Sequence, residues 1–419
     1  MLTYTESLAW LSQQLKFGIK PGIERVKWLL NELGNPQDRV KGVHVVGTNG
    51  KGSTVHYLQT ILTNAGYVVG TFTSPYIMDF RERISLDGQM ITRNDLVDLV
   101  ARVKPIAERL PQETGYEPAT EFELITAMMF LYFGEVHPVD IAIIEAGLGG
   151  LYDSTNVFTP LVVVCPSIGL DHQDILGDSY TEIAKQKVGV LKHQVPFVFS
   201  EKRSDVKEVF FKKALETHSP IYELGRDFSV SGSAQHFDFK DEDRTMLGLS
   251  LSMLGQHQVF NAGLAIKTSL LLAETYPQIT EEHIRQGLKK ASWLGRTELM
   301  SRNVMIDGAH NRESVAVLTD LLKNQFSDKS IHILFSAIDT KPVDDMLEQL
   351  STVGEVTVTS FDYPNAVSLD SYPSTYPRVS QFQNWLTHCD LSSQDKLYVI
   401  TGSLYFISQV RQYWLNKET

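Results

Sequence analysis

Two cysteines, Cys165 and Cys389, are all that the 419 residues contain. So few exclude a disulfide framework and a cysteine-built zinc cluster, and they suit a reducing, cytoplasmic compartment. Long apolar runs are missing too: nothing approaches the roughly 18 uncharged apolar residues that a membrane span needs. The opening Met1-Leu2-Thr3-Tyr4-Thr5-Glu6 has no basic stretch leading into an apolar one, so it does not read as a secretion signal. Basic runs are likewise absent. The 38 Lys and Arg stand against 50 Asp and Glu, a formal net charge of −12, which argues against a nucleic-acid backbone as partner. Any site for an anionic ligand must therefore be local, built from a few cationic side chains, helix N-termini and metal ions. No internal repeat or low-complexity tract is present.

What remains is an ordinary soluble balance, 42% apolar and 21% charged. The length points to two or three domains at about 150 residues each. Residues 5–34 read as helical, with a break at Gly18–Gly22. Val43–Val46 is a short β-branched run stopped by Gly47, the pattern of a buried strand. Similar runs stand at Val139–Ile144, Leu161–Cys165 and Pro196–Phe199. Helical patterns at Glu123–Phe133 and Tyr180–Leu191 lie between them. This alternation predicts a mainly parallel α/β sheet covered on both faces. Phe228–Ser231 and His236–Phe239 alternate apolar with polar residues and predict a small antiparallel element, with a helix at 257–275 after it. Beyond a hinge at Trp293-Leu294-Gly295-Arg296, the strand-like runs Val304–Asp307, Ile331–Phe335, Val356–Thr359 and Leu397–Thr401 predict a smaller, Rossmann-like α/β domain. The expected division is 1–296 and 297–419.

The segment with the most chemistry is Gly47-Thr48-Asn49-Gly50-Lys51-Gly52-Ser53-Thr54. It follows the Val43–Val46 strand and precedes the helical run His56–Ala65. Glycines let backbone N–H groups converge on phosphate oxygens, and the helix N-terminus adds partial positive charge. Lys51 can reach terminal phosphates, and Ser53 can set a hydroxyl near a metal. The loop departs from the general phosphate-loop pattern: Val45 replaces the first Gly, and Gly52 follows the lysine. The structural alternative is a plain glycine turn.

The loop resembles that of the Mur ligase superfamily, in its folylpolyglutamate and dihydrofolate synthase branch. Further segments match in the same order: Pro21–Val26, Thr73-Ser74-Pro75-Tyr76 with Glu82-Arg83-Ile84, Glu145–Gly150, Asp171-His172, Gly255–Gln258 with Asn261-Ala262, Gly295-Arg296, Asp307–Asn311 and Thr401–Tyr405. The resemblance spans nearly the whole chain. It implies an ATP-dependent ligase that activates a folate carboxylate as an acyl phosphate and joins L-glutamate to it. The implied acceptor is tetrahydrofolate or dihydropteroate, and a monomer is expected, with neither nucleic acid nor membrane as partner.

The resemblance also assigns residues. Thr48, Asn49, Gly50, Lys51, Gly52 and Ser53 would bind ATP, with Asn261, Arg296 and Asp307 as further nucleotide contacts from the interdomain side. Mg²⁺, two ions in all, would be held by Ser53, Ser74, Glu145, His172 and a carbamylated Lys187. Glu145 also stands on its own: a carboxylate ending a buried parallel strand lies where open α/β sheets bind ligands. His172 does not, since Mg²⁺ prefers oxygen. Lys51, Lys187, His172 and His310 are the catalytic candidates. The acceptor side falls to Gly22, Ile23, Glu24 and Arg25, to Thr120, Glu121, Phe122 and Glu123, and to Tyr152, Asp153 and Ser154. Each has a plainer alternative: a turn hydroxyl for Ser74, a hinge ion pair for Arg296, a helix cap for His310, core for Phe122.

Four positions depart from the family's usual pattern: Leu151 where an Arg is common, Gln186 where an acid precedes the lysine, Arg312 where Pro is common, and Asn365 where a base is frequent. Asp339-Thr340-Lys341-Pro342 departs as well. These leave the ATP set intact and keep two alternatives open, a dihydropteroate-specific or bifunctional enzyme and a catalytically weak nucleotide-binding paralogue. An unrelated phosphotransferase would leave the Asp307–Asn311 motif unexplained.

Overall fold

The computed structural model describes residues 2–14, 18 and 20–418. Two compact units emerge: Met1–Ser252 with Val259–Ala291, and Met253–Gln258 with Ser292–Thr419.

The first unit is built on an eight-stranded sheet. Its strands are β1 (Gly42–Val45), β2 (Val69–Phe72), β3 (Ile84–Leu86), β4 (Gln89–Met90), β5 (Ile141–Glu145), β6 (Val162–Cys165), β7 (Phe197–Phe199) and β8 (Ile221–Glu223). They lie in the order β4-β3-β2-β5-β1-β6-β7-β8, parallel except for the hairpin β3–β4 at one edge. β1, β2, β5, β6 and β7 are buried along their whole length. Helices covering both faces explain why these strands read as continuous apolar runs, not alternating ones. The helices are α1 (Tyr4–Gln13), α2 (Glu24–Glu32), α3 (Lys51–Asn64), α4 (Arg93–Thr114), α5 (Glu121–Leu131), the single turn α6 (Gln173–Leu176), α7 (Tyr180–Val188), α8 (Ser204–Thr217), α9 (Gln256–Leu272) and α10 (Glu281–Lys290). One core cluster joins α2, α4 and α5 to the sheet; another joins α7 and α8 to its other part. The small antiparallel element is a three-stranded sheet of β9 (Phe228–Ser233), β10 (His236–Asp241) and β11 (Thr245–Leu249).

The second unit holds a five-stranded sheet of β12 (Glu298–Ser301), β13 (Val304–Ile306), β14 (Ser330–Phe335), β15 (Glu355–Val358) and β16 (Lys396–Thr401), in the order β12-β13-β16-β14-β15. Only β12 is antiparallel. Its helices are α11 (Arg312–Gln325), α12 (Val343–Ser351), α13 (Phe382–Thr387) and α14 (Leu404–Glu418). The mixed α/β class is therefore as the sequence implies, with both large sheets mainly parallel.

The expected break at Gly18–Gly22 separates α1 from α2, with both glycines at positive φ. Differences from the sequence reading are local. The β3–β4 hairpin was not expected, and β2 left no pattern of its own, because Val69-Gly70-Thr71-Phe72 is short and broken by a glycine. That glycine has a steric reason: a Cβ on Gly70 would lie 2.8 Å from the Phe133 ring. No helix among the described residues is long and apolar enough to cross a membrane.

Helix α3, which begins at the phosphate loop, is held from behind by α10. A Cβ on Gly287 would lie 2.6 Å from the Ile61 Cα, a backbone atom that cannot step aside. Gly287→Ala gains helix propensity but forces α3 and α10 apart, and overpacking of this kind costs about 1–3 kcal/mol. Urea unfolding should show a lower midpoint; a raised one would mean that the helices separate freely.

Candidate active site

Strand order places the site. β1 lies between β5 and β6, so the chain after β1, the chain after β5 and the chain after β6 emerge side by side at the same end of the sheet. In open parallel sheets this is where ligands bind.

After β1 the loop turns at Gly47 (φ 139°) and Gly50 (φ 87°) and enters α3 at Lys51. It is clamped by the segment after β6. Thr48 N donates to Ser167 O at 2.8 Å, Gly169 N donates to Thr48 Oγ1 at 2.9 Å, and Asn49 N donates to Ser167 Oγ at 3.1 Å. A Cβ on Gly50 would lie 2.6 Å from Asn261 Oδ1, so the loop backbone runs directly against that side chain. Asn261 thus stands in the first unit, on α9, beside the loop. Ser53 is buried in the first turn of α3.

Lys51 Nζ donates to Thr48 O at 3.1 Å and stands 3.6 Å from Glu145 Oε1. Glu145 is the last residue of β5 and nearly buried; its Oε2 is 3.4 Å from Ser74 N. Lys187, in the last turn of α7, is also buried and donates to Gly47 O at 2.9 Å. Burial, with the neighbouring Lys51 charge second, pulls the Lys187 amine down to about 7. Loop, strand-end carboxylate and buried lysine are thereby tied together through Gly47 and Lys51.

His172 caps α6 in a left-handed conformation, with Nε2 4.0 Å from Asp171 Oδ1. Among the described residues no three His, Cys, Asp or Glu side chains gather to hold a metal by themselves. One carboxylate with the hydroxyls of Ser53 and Ser74 is a poor cage. It does suit Mg²⁺, which keeps several waters and takes phosphate oxygens as ligands.

The residues assigned to the acceptor side are brought together, but several are bound to one another. Gly22 N donates to Tyr152 O at 3.2 Å. Arg25 Nε donates to Glu123 Oε1 at 2.8 Å, and Glu123 caps α5 by accepting from Thr120 N at 2.7 Å. Arg83 Nη2 lies 3.5 Å from Glu121 Oε1, with its guanidinium over the Tyr76 and Phe80 rings. Burial raises the Glu121 carboxyl above its usual range. Phe122 packs against Phe72 and covers Gly147, where a Cβ would lie 2.3 Å from the ring. Ile23 and Glu24 open α2, and Tyr152 is half exposed beside the buried Ser154. Asp153 is buried, with both oxygens engaged: Oδ2 accepts from Leu148 N at 2.6 Å, and Oδ1 from Thr155 N at 3.0 Å and from the Thr155 hydroxyl. Leu151, where a cation is common, has its Cβ against Gly189.

In the second unit, Asp307 follows β13 and accepts from Thr297 N and Ala309 N, both at 2.8 Å. Its carboxyl is pushed up by burial and drawn down by the Arg296 charge. His310 Nδ1 is 2.7 Å from Gly308 O, just ahead of the Asn311 cap of α11. The departing segments at Asp339 and Asn365 are bonded to each other, Asp339 N to Asn365 O at 2.9 Å, and Arg312 faces Asp345 at 3.6 Å.

The sequence reading missed Ser167 and Gly169, although their place just past a strand end was a usable signal. It also missed Arg83 as the partner of Glu121. His44, buried on β1, left no signal beyond being a polar residue in an apolar strand. Its Nε2 is 2.8 Å from Thr155 Oγ1, and burial holds its pKa down at about 3, against an ordinary 6.5. The unfolded chain therefore takes up a proton near pH 6.5 that the folded one refuses until about pH 3. Stability should be full above pH 6.5 and fall on acidification by at most about 1.4 kcal/mol per pH unit through this group. Urea titrations at pH 7, 5.5 and 4 should show His44→Met flattening that slope relative to the unaltered protein.

Residues 45–269 match the model of the Mur ligase middle domain. A dihydrofolate synthase/folylpolyglutamate synthase of Bacillus subtilis (strain 168) is 40% identical over 428 residues, covering 98% of each chain. A folylpolyglutamate synthase of Lacticaseibacillus casei is 37% identical over 425 residues, again covering 98% of each. A solved FPGS-AMPPCP-folate complex superposes with a TM-score of 0.86 at 34% identity, over 99% of this chain and 100% of that one.

Proposed function

Because the chain belongs to the Mur ligase family, in the branch of the folylpolyglutamate and dihydrofolate synthases, we propose that it is an ATP-dependent ligase joining L-glutamate to a folate carboxylate. The observation that carries this reading is the pairing of Lys51 with Glu145 at 3.6 Å, at the mouth of a glycine loop between adjacent parallel strands. A cation and a carboxylate so placed are the two halves of a site for a nucleotide triphosphate with a divalent ion. The complex of a relative with AMPPCP and folate supports the same pair of ligands for this chain.

In the proposed reaction an acceptor carboxylate oxygen attacks the γ-phosphorus of ATP. The bond to the β–γ bridging oxygen breaks, giving an acyl phosphate and ADP. The free amine of glutamate then attacks the acyl carbon, the tetrahedral adduct expels phosphate, and the amine proton passes to solvent or to a base. Two anions must meet, so charge neutralisation is the main catalytic demand. The N–H groups of Thr48–Gly52 and the start of α3 would receive the phosphates, and Lys51 would leave Glu145 for the terminal phosphate. Mg²⁺ held by Glu145, Ser53 and Ser74 would supply Lewis-acid polarisation of the phosphoryl oxygens.

Lys187, with a pKa of about 7, offers much of its amine uncharged at neutral pH. Such an amine can add CO₂, lose a proton and become a carbamate, and with His172 this is the proposed second Mg²⁺ site. Asn261, Arg296 and Asp307 are proposed nucleotide contacts, and His310 is proposed to serve the glutamate. In this reading residues 1–296 handle ATP and acceptor, residues 297–419 handle glutamate, and a single chain works in the cytoplasm. Arg25 and Glu123 are proposed to shape the acceptor pocket through their mutual ion pair. Tyr152 and Phe122 would offer ring surface to the pterin.

The B. subtilis relative carries both activities in its name, which makes the acceptor the open choice. Incubated with ATP, Mg²⁺, glutamate and either tetrahydrofolate or dihydropteroate, the protein should add one glutamate mass to at least one acceptor, read by mass spectrometry. ATP binding with no product on either would sink the reading. Lys51→Ala should keep its circular dichroism and lose about a thousandfold in kcat, since a phosphate-neutralising cation is removed. Ligation at the unaltered rate would place the triphosphate elsewhere.

A further inference from the structure

His44 is fully buried on β1 between Val43 and Val45. Its Nδ1 is buried and has no hydrogen-bond partner. An orphaned acceptor of this kind is a standing cost, and the compensation lies at the other nitrogen. Nε2 stands 2.8 Å from Thr155 Oγ1, and Thr155 Oγ1 donates to Asp153 Oδ1. A hydroxyl has one proton. With that proton given to the carboxylate, Thr155 can only accept from His44, which fixes the imidazole as the Nε2–H tautomer. Burial keeps the ring neutral down to about pH 3. Asp153 Oδ2 then accepts from Leu148 N at 2.6 Å. One line of hydrogen bonds thus runs from the central strand to an amide three residues past Glu145.

The turn secured in this way is the one that touches Lys187. Asp153 N donates to Gly150 O at 3.0 Å, and Leu151 N donates to Gln186 O at 2.7 Å. A Cβ on Gly150 would fall 2.5 Å from Lys187 O, so the turn lies directly on the end of α7. β1 itself runs on to Gly47, whose carbonyl accepts from Lys187 Nζ. The strand therefore reaches Lys187 twice, once through its own continuation and once through His44.

We propose that His44 is a positioning residue for the ligation reaction: through Thr155 and Asp153 it holds the Leu148–Leu151 turn against α7 and so sets Lys187 relative to Glu145. The inference rests on the ligase reading given above. A merely structural histidine would lose stability and rate together when replaced. A positioning one loses rate while the fold is kept, because an apolar side chain of similar volume also removes the orphaned Nδ1.

The test compares the full chain with His44→Met and His44→Gln. Met has no donor, whereas Gln can present an N–H near the place of Nε2. For His44→Met the thermal midpoint should stay within a few degrees or rise. Amides of residues 147–153 should exchange about tenfold faster by hydrogen–deuterium mass spectrometry. The kcat for glutamate addition should fall about ten- to a hundredfold with KM for ATP within about twofold, the split expected of misplacement near the chemistry. His44→Gln should recover both exchange and kcat to within about threefold of the unaltered protein. Unchanged exchange at 147–153 in His44→Met overturns the inference. So does an unchanged kcat, or a parallel loss of midpoint and kcat in both variants. A wild-type protein that adds glutamate to no acceptor overturns the ligase reading itself, whatever the exchange data show.

Discussion

A lysine ammonium at the start of α3 and a carboxylate at the end of β5, held 3.6 Å apart, form the constraint from which the rest of the first unit follows. The chain carries a net charge of −12, so it cannot attract a triphosphate by its overall field. It must do so by local arrangement. Lys51 begins a helix, stands over glycine turns and faces Glu145; each feature needs the order in which β5, β1 and β6 lie side by side. The parallel sheet is thus less a shelter for the core than a device for delivering three chain segments to one place.

Burial decides what these side chains can do. Lys187 is enclosed beside a second lysine, and desolvation with like-charge repulsion takes its amine to about 7. An exposed lysine would stay protonated at neutral pH. The same enclosure works differently on the acceptor side. There Arg25 with Glu123, and Arg83 with Glu121, satisfy each other. Removing one member of such a pair strands a buried charge, which costs more than the pair contributes. Each of these side chains is therefore held by its partner within the fold.

The sequence was most legible where one strand, one turn and one helix follow in immediate succession. Val43–Val46 with Gly47 and Lys51 announced β1, the loop and α3 because apolar run, glycine and helical pattern each have a local cause. Glu145 was legible for the same reason, as an acid ending a buried run. Asp153 was less so: the resemblance assigned it to the acceptor side, and its part in the turn, where its oxygens accept from Leu148 and Thr155, left no signal in the sequence. Arg83 and Glu121, 38 positions apart, meet only through folding, and no periodicity reports that. β2 was hidden by Gly70, a residue that ordinarily weakens a strand and here makes room for Phe133.

Phe122 and Gly147 carry a consequence of their own. The ring lies where a Cβ at 147 would stand, 2.3 Å away, and residue 147 is two steps beyond Glu145. Aromatic bulk at one position and the lack of any side chain at the other form a single fitted joint, so neither can vary alone. Relatives with alanine at the second place are expected to carry a slimmer residue at the first, and an aligned set of such chains showing independent drift would refute the coupling.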